Sequence, residues 1–508
     1  MDHFHAQLSP MLQRAMRQIP NHLPQYSNSK SHLSNIPQYY NPTSTTTTLF
    51  EKQSTLSKLP IPSIDATLSK YIKSLEPLAT PSQLQRTIKI ANEFKNDPIA
   101  KTLQNRLVER SKDPTGWLAE YWNNYAYLEW RDACAGNVNF FYHFKDDNRP
   151  QSLRAAVLTR EMIGFRQLIT SHSLSPEYNG DSPLCSHMYN YLFNTTRIPV
   201  KPRDQIAVYN GTNSNNSHVI VLYKQHIFSI NTIINDVLLS THEIKQQIDF
   251  ILNNTHDLGV GLGALTSWHR DNWSDAYQLL AQQQGNADAL HQLQSAAFVL
   301  CLDDHSPVTL EECATTFLYG NVKNRWFDKS CQLIVCQNGK AGMNNEHSMM
   351  DGTINTRLAD TILTNAALHH DPGTNTKQLI PNPKELTFNI HDTVLANISE
   401  AVAAFDKWTA PHNISVLAYY GHGKSFIKSM KCSPDAYLQM ALQLAYYKLH
   451  HEVCATYESA TLRQYIYSRT ETCRSCSNES KAFVMGMQQS LSFKEKAQLL
   501  RVIISTLI

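Results

Sequence analysis

No apolar run in the 508-residue chain approaches the roughly 18 residues that a membrane-crossing helix needs, so no transmembrane segment is expected. Charge is scarce and balanced. Charged residues make up 17% of the chain, and 45 Lys and Arg against 43 Asp and Glu leave a formal +2. Without a basic run, that balance argues against nucleic acid as a partner, and any electropositive site must be local. The ten cysteines have no repeating spacing. Cys473-Arg474-Ser475-Cys476 is a lone C-x-x-C without the second pair that a zinc site needs. Reduced thiols and no metal are the expectation. No internal repeat is visible. What remains is 42% hydrophobic residues, enough at this length for one large core or two ordinary ones.

One further absence is local. Between Asp2 and Glu51 there is no acidic residue, while Arg14, Arg17 and Lys30 are present. Leu8, Met11, Leu12, Ala15, Met16 and Ile19 fall on one helical face with both arginines off it, and Ser and Thr crowd the stretch through Thr48. Residues 1–52 read as a mitochondrial targeting segment, or as a disordered polar tail with a chance helix.

From Leu59 onward helical and strand patterns alternate, which predicts α/β or α+β layering. Residues 218–222 and 227–230 read as a hairpin, and 386–390 and 414–419 as strands. Val394, Ile398, Ala401, Val402 and Phe405 mark a helix. Ser433 followed by Pro434 starts another, and Ser492 with Glu495 forms a capping box that opens a third.

Candidate chemistry concentrates in Asn345-Glu346-His347-Ser348-Met349-Met350-Asp351-Gly352. A neutral imidazole can take a proton from an attacking hydroxyl, and a fixed carboxylate nearby helps to keep the ring aimed. Spacing alone is weak, because 22 histidines make a chance His-x-x-x-Asp expected, and a surface loop with a capping Asp is the simpler reading. The flanks change that. Residues 331–336 read as a strand and Gln337-Asn338-Gly339 as a tight turn of the type in which both central residues take positive φ. The returning strand, 340–345, delivers His347 to a strand end, and Ile354, Leu358 and Ile362 predict a helix after the glycine.

With these flanks the segment resembles the carnitine/choline acyltransferase family. The likeness extends to Leu59-Pro60-Ile61-Pro62-Ser63-Ile64 with Tyr71 and Leu75-Glu76-Pro77-Leu78, and to Trp117, Tyr121-Trp122, Ala126-Tyr127-Leu128 and Arg131. It continues through Arg197-Ile198-Pro199, Leu265-Thr266-Ser267 with Trp273, and Asn324-Arg325-Trp326-Phe327-Asp328-Lys329. Gly423-Lys424, Lys428, Ser433-Pro434-Asp435-Ala436 and Tyr457-Glu458-Ser459-Ala460 complete it in the family's order. The likeness is followed from about residue 55 to Arg501, and Val502–Ile508 departs from it.

The resemblance implies an α/β fold of two similar chloramphenicol-acetyltransferase-like halves, with mixed sheets and helices and the active site in a tunnel between them. Residues 53–390 would form the first half, carrying His347, and 391–508 a second half shorter than the family's. It implies reversible transfer of an acyl group between coenzyme A and the hydroxyl of carnitine, with small-molecule substrates and no tightly bound cofactor. His347 would be the general base. Asp351 would shape the site, with Arg469 as its expected partner.

On the coenzyme side, Lys424 and Lys428 fall four residues apart, on one helical face. Alone they read as a solvated lysine face, and the glycine spacing before them is not a Walker motif. The resemblance implies that they, with Lys431, Ser433 and Asp435, bind coenzyme A. Carnitine would be met by Tyr457, Ser459 and Thr470, with Tyr457 and Thr470 donating to its carboxylate, which a buried site must satisfy. The block around His347 is most similar to fungal members acting on acetyl groups. A non-catalytic protein and a choline acetyltransferase stay open as alternatives, and peroxisomal or cytoplasmic location beside the mitochondrial one.

Overall fold

The computed structural model describes residues 49–209, 216–368 and 379–506, so the basic helix expected over residues 8–19 lies outside the described residues. They form two compact units. The first gathers residues 49–54, Glu120–Glu177 and Ser186–Ser415, and the second Thr55–Ala119, Tyr178–Cys185 and residues 416–506.

The first unit is built on a seven-stranded mixed sheet. In chain order its strands are β1 (Phe140–His143), β2 (Val219–Tyr223), β3 (His226–Ile230), β4 (Val299–Asp303), β5 (Cys331–Cys336), β6 (Ala341–Asn345) and β7 (Lys384–Glu385). Across the sheet they lie in the order β1-β6-β5-β4-β2-β3-β7. β4 runs parallel to β2 and β5, and the remaining pairs are antiparallel.

Alternate residues of the central strands supply two cores. Val219, Val221, Leu300, Leu333 and Met343 join one, together with helices α1 (Gln151–Thr170) and α2 (Gly352–Leu368). Ile220, Leu222, Cys301 and Ile334 join the other, with Val394, Ile398 and Phe405 of helix α3 (Asp392–Thr409). A sheet covered on both faces needs no polar alternation, and β2 accordingly reads Val-Ile-Val-Leu-Tyr. The stripe expected on α2 is present: Ile354, Leu358 and Ile362 are all fully buried. β6 runs so close to β1 that a Cβ on Gly342 would stand 2.3 Å from the Tyr142 carbonyl oxygen, so only glycine fits there.

Three local expectations are corrected. In the turn between β5 and β6, Gly339 N donates to Cys336 O at 2.9 Å and Cys336 N to Lys340 O at 2.8 Å. Of the turn residues only Gly339 takes positive φ, 80°. This is the loop in which one left-handed residue closes a bulge, so one permissive position suffices where two were expected. Residues 386–390 continue β7 without a ladder beyond the bond from Leu386 N to Ile227 O at 2.8 Å. Residues 414–419 form no strand.

The second unit carries the helices Ile64–Leu75, Pro81–Asn96 and Pro98–Arg110, then α4 (Lys424–Ser429), α5 (Pro434–His450), α6 (Asn478–Met487) and α7 (Phe493–Thr506). A hairpin of β8 (Glu458–Thr461) and β9 (Thr470–Cys473) lies between α5 and α6 in the chain. Met440, Phe483, Val484 and Ile503 form its small core. Ser433 caps α5 by accepting from Ala436 N, with Pro434 in the first turn. The Ser492–Glu495 box also forms, with Ser492 N donating to Glu495 Oε2 at 2.8 Å. Among the described residues no helix is long and apolar enough to cross a membrane.

Candidate active site

His347 lies in the short loop between the end of β6 and Gly352, the first residue of α2. Its Nδ1 is 2.7 Å from the carbonyl oxygen of Met350. A carbonyl only accepts, so Nδ1 carries the proton and Nε2 carries the ring's lone pair. Two aromatic rings fix the plane of the imidazole: Tyr127 at 5.1 Å between centroids and Phe140 at 4.9 Å, edge on. Tyr127 belongs to a π-helical stretch, Trp122–Leu128. Asp351 Oδ1 stands 4.0 Å from Nδ1, too far for a hydrogen bond. The backbone N–H of Asp351 donates to Met188 Sδ at 3.3 Å.

Beneath the loop is a buried network of charge. Glu346 accepts from Ser348 N at 3.0 and 3.1 Å and from the Ser348 hydroxyl. Arg197 Nη1 donates to Ser348 Oγ at 3.0 Å and to Glu346 Oε1 at 3.3 Å. Asp204 receives Arg197 and Arg270 at 2.6 Å and Arg131 at 2.8 Å. Asp328 in turn receives Arg270 Nη1 at 2.6 Å and Trp273 Nε1 at 2.7 Å. Burial opposes ionisation of Asp204, but Arg270 and Arg197 hold its carboxyl below the usual range. Burial likewise opposes the charge on Arg270, yet Asp328 raises it well above its ordinary value.

The other expected site residues are in the second unit. Lys424 and Lys428 share the short helix α4, and both are exposed, as is Lys431, which takes φ 58° just beyond it. Ser433 uses its hydroxyl to cap α5, and Asp435 is exposed in that helix's first turn. In the hairpin, Ser459 pairs with Thr472 and Thr461 with Thr470. Side chains alternate along a strand, so Ser459 and Thr470 fall on one face and Glu458, Ala460, Glu471 and Cys473 on the other. Tyr457, half exposed, immediately precedes β8. Arg469 is buried immediately before β9, and its carbonyl accepts from Leu462 N at 2.9 Å.

Two clusters with metal-ligating atoms do not suit an ion. Asp303, His305 and Cys336 offer ligand atoms within 4.8 Å of one another. Asp303 is already clasped by Arg325 through both Nη atoms, at 2.8 and 2.6 Å, and burial raises the Cys336 thiol far above its ordinary value. Cys473 and Cys476 are free thiols, and burial pushes Cys476 up to about 11, so it stays protonated.

At the end of one strand of a mixed sheet, then, stands an imidazole whose neighbours on either side join a buried charge network. The family model for Choline/Carnitine o-acyltransferase matches residues 59–506, running past Arg501, where the likeness had been expected to stop. Human carnitine O-acetyltransferase is 32% identical over 469 residues, covering 88% of this chain and 74% of that protein. The mitochondrial carnitine O-acetyltransferase of Saccharomyces cerevisiae is 33% identical, covering 89% of this chain and 70% of its own length. Bovine peroxisomal carnitine O-octanoyltransferase is also 33% identical, with 89% of this chain and 77% of its own length aligned. The chain belongs to the choline/carnitine O-acyltransferase family.

Sequence reasoning singled out His347 and Asp351 as candidates but gave no role to Arg197, Asp204, Arg270 or Ser348. Arg131, Arg197, Trp273 and Asp328 stood inside the blocks that carried the family likeness. The signal available was the density of charge in blocks otherwise rich in Trp, Phe and Tyr, because unpaired charge is rarely buried.

Proposed function

We propose that the chain reversibly transfers an acetyl group between coenzyme A and the hydroxyl of carnitine, with His347 as general base. The observation that carries this reading is the bond from His347 Nδ1 to the Met350 carbonyl at 2.7 Å, which directs the basic lone pair to Nε2. In the forward direction Nε2 takes the hydroxyl proton of carnitine as its oxygen attacks the thioester carbonyl. Collapse of the tetrahedral adduct breaks the carbon–sulfur bond, and the imidazolium returns the proton to the departing thiolate. The reverse reaction starts from the thiol. Asp351 steadies the imidazolium across 4.0 Å, and Arg469 is assigned to the same catalytic set.

Lys424, Lys428 and Lys431 are assigned to the phosphates of coenzyme A, with Ser433 and Asp435 beside them. Tyr457, Ser459 and Thr470 are assigned to carnitine, which the shared hydroxyl face of β8 and β9 supports. An octanoyl group is the second reading, since a carnitine O-octanoyltransferase is as similar as the acetyltransferases. The test measures carnitine-dependent thiol release from acetyl- and octanoyl-coenzyme A in competition. His347→Ala should lower turnover about 10²–10⁴-fold with both Michaelis constants nearly kept. An alanine variant with most of its activity rejects the general base, and preference for octanoyl rejects the acetyl assignment alone. Mitochondrial location is proposed from the basic, acid-free stretch between Asp2 and Glu51, and fusing residues 1–52 to a fluorescent protein checks it.

A further inference from the structure

Arg197 spends all five of its N–H groups on the surroundings of His347 and none on His347 itself. Its side chain is fully buried. Nε donates to Asp204 Oδ2 at 2.6 Å. Nη1 donates to Ser348 Oγ at 3.0 Å and Glu346 Oε1 at 3.3 Å, the residues on either side of the histidine. Nη2 donates to the carbonyl oxygens of Tyr127 at 2.8 Å and Trp130 at 3.4 Å. The ring of Tyr127 is one of the two that pack on the imidazole. One rigid fork therefore joins the loop that carries the base to the helical stretch that carries Tyr127, whose tilted ring packs on the imidazole. Asp204 anchors the fork from behind, itself held by Arg131 and Arg270.

From this geometry, and resting on the general-base reading of His347, we propose that Arg197 is a positioning residue for that base, acting through Ser348, Glu346 and the backbone of Tyr127. The physical reason is the shape of the guanidinium. A planar fork meets acceptors in two directions at once, whereas an ammonium is a point charge on a flexible stem. Ser348 is the uncharged side chain of this linkage and the most informative to remove. Its hydroxyl accepts from Arg197 and donates to Glu346, so Ser348→Ala cuts the tie beside His347 while leaving every buried charge in place.

The experiment compares wild type, Ser348→Ala, Arg197→Lys and His347→Ala by kcat, by KM for each substrate, and by thermal unfolding. Ser348→Ala should lose about tenfold in kcat, with both KM values within about twofold and an unchanged unfolding midpoint. Arg197→Lys should lose about 10²-fold, the scale expected for a misplacement of about 1 Å at a reacting group. A variant that combines Ser348→Ala with Arg197→Lys should lose little more than Arg197→Lys alone, because both changes break one linkage. If His347→Ala is nearly inactive but Ser348→Ala keeps the wild-type kcat, the positioning role is wrong and the base assignment stands. If His347→Ala stays active, the base assignment itself has failed. If Ser348→Ala does not fold, or loses stability in step with kcat, the linkage serves the fold and the positioning role is overturned.

Discussion

In the first unit Arg131, Arg197, Arg270 and Arg325 are buried, and each meets a carboxylate at 2.8 Å or less. In the second unit Lys424, Lys428 and Lys431 are exposed, and among the described residues none of the three forms an ion pair. The buried set places its charge against the protein's own carboxylates. The exposed set does little to hold the fold, and a ligand is the use proposed for its charge. Side-chain chemistry matches the division, since guanidinium forks fix directions and ammonium groups act as point charges. A general base needs placement to a fraction of an ångström, whereas a phosphate grip tolerates a rocking side chain.

The largest expected effect tests the buried side. Asp204→Ala removes the shared acceptor of Arg131, Arg197 and Arg270 and leaves buried positive charge uncompensated. Loss of one partner from a buried pair costs about 3–5 kcal/mol, read as a fall in the urea midpoint of the first unit. A variant as stable as wild type would mean that these arginines are not tied to the fold as described.

Lys329 breaks the pattern, because it is a lysine inside the first unit. It is fully buried, its ammonium donates to the Gln294 carbonyl, and burial lowers it to about 7 from an ordinary 10.5. Between those values the unfolded chain binds a proton that the folded chain does not, so stability rises with pH across that window. Below about 7 both states are charged and the burial penalty is complete. Lys329→Met should therefore stabilise most near pH 6.5, with the gain shrinking by about 2–3 kcal/mol between pH 7 and 9. A gain that does not change with pH would show that Lys329 stays charged throughout.

Elements that depend on local pattern were legible in the sequence. The hairpin of β2 and β3, the stripe on α2 and the Ser433 cap each follow from residues within a few positions of one another. The buried network was not, because its members meet only in space: Arg131 and Asp204 are 73 residues apart, and Arg270 and Asp328 58. Nor did residues 414–419 become a strand. They read as strand by composition, but pairing makes a strand, and Leu417 is 90% exposed. The candidate site was legible as His347 with Asp351, while Arg197 and Tyr127, which meet its surroundings, stood in blocks recognised only as landmarks.

The exposed side predicts a different kinetic signature. Lys424→Ala or Lys428→Ala should raise KM for acetyl-coenzyme A roughly tenfold, the loss of one charge-assisted bond, and leave KM for carnitine and the unfolding midpoint unchanged. Added salt should shrink the difference, since screening weakens exposed charges first. Dephospho-coenzyme A separates the causes: little further loss in the variants assigns the lysines to the missing phosphate. A loss as large as with coenzyme A gives them another purpose.

The smallest effect falls where the two kinds of work meet, at Ser433. Its hydroxyl accepts from Ala436 N at a long 3.4 Å, so Ser433→Ala should cost only about 0.5–1 kcal/mol of stability, the low end for a lost cap. If Ser433 also touches the coenzyme, KM for acetyl-coenzyme A rises as well and KM for carnitine does not. Ser433→Asp separates the roles, because aspartate caps a helix as well as serine does but sets a carboxylate beside the proposed phosphate site. Stability should then return while KM for the coenzyme worsens further. If KM instead follows stability through both variants, falling back to wild type in Ser433→Asp, Ser433 is a cap and nothing more, and the coenzyme site does not reach the start of α5.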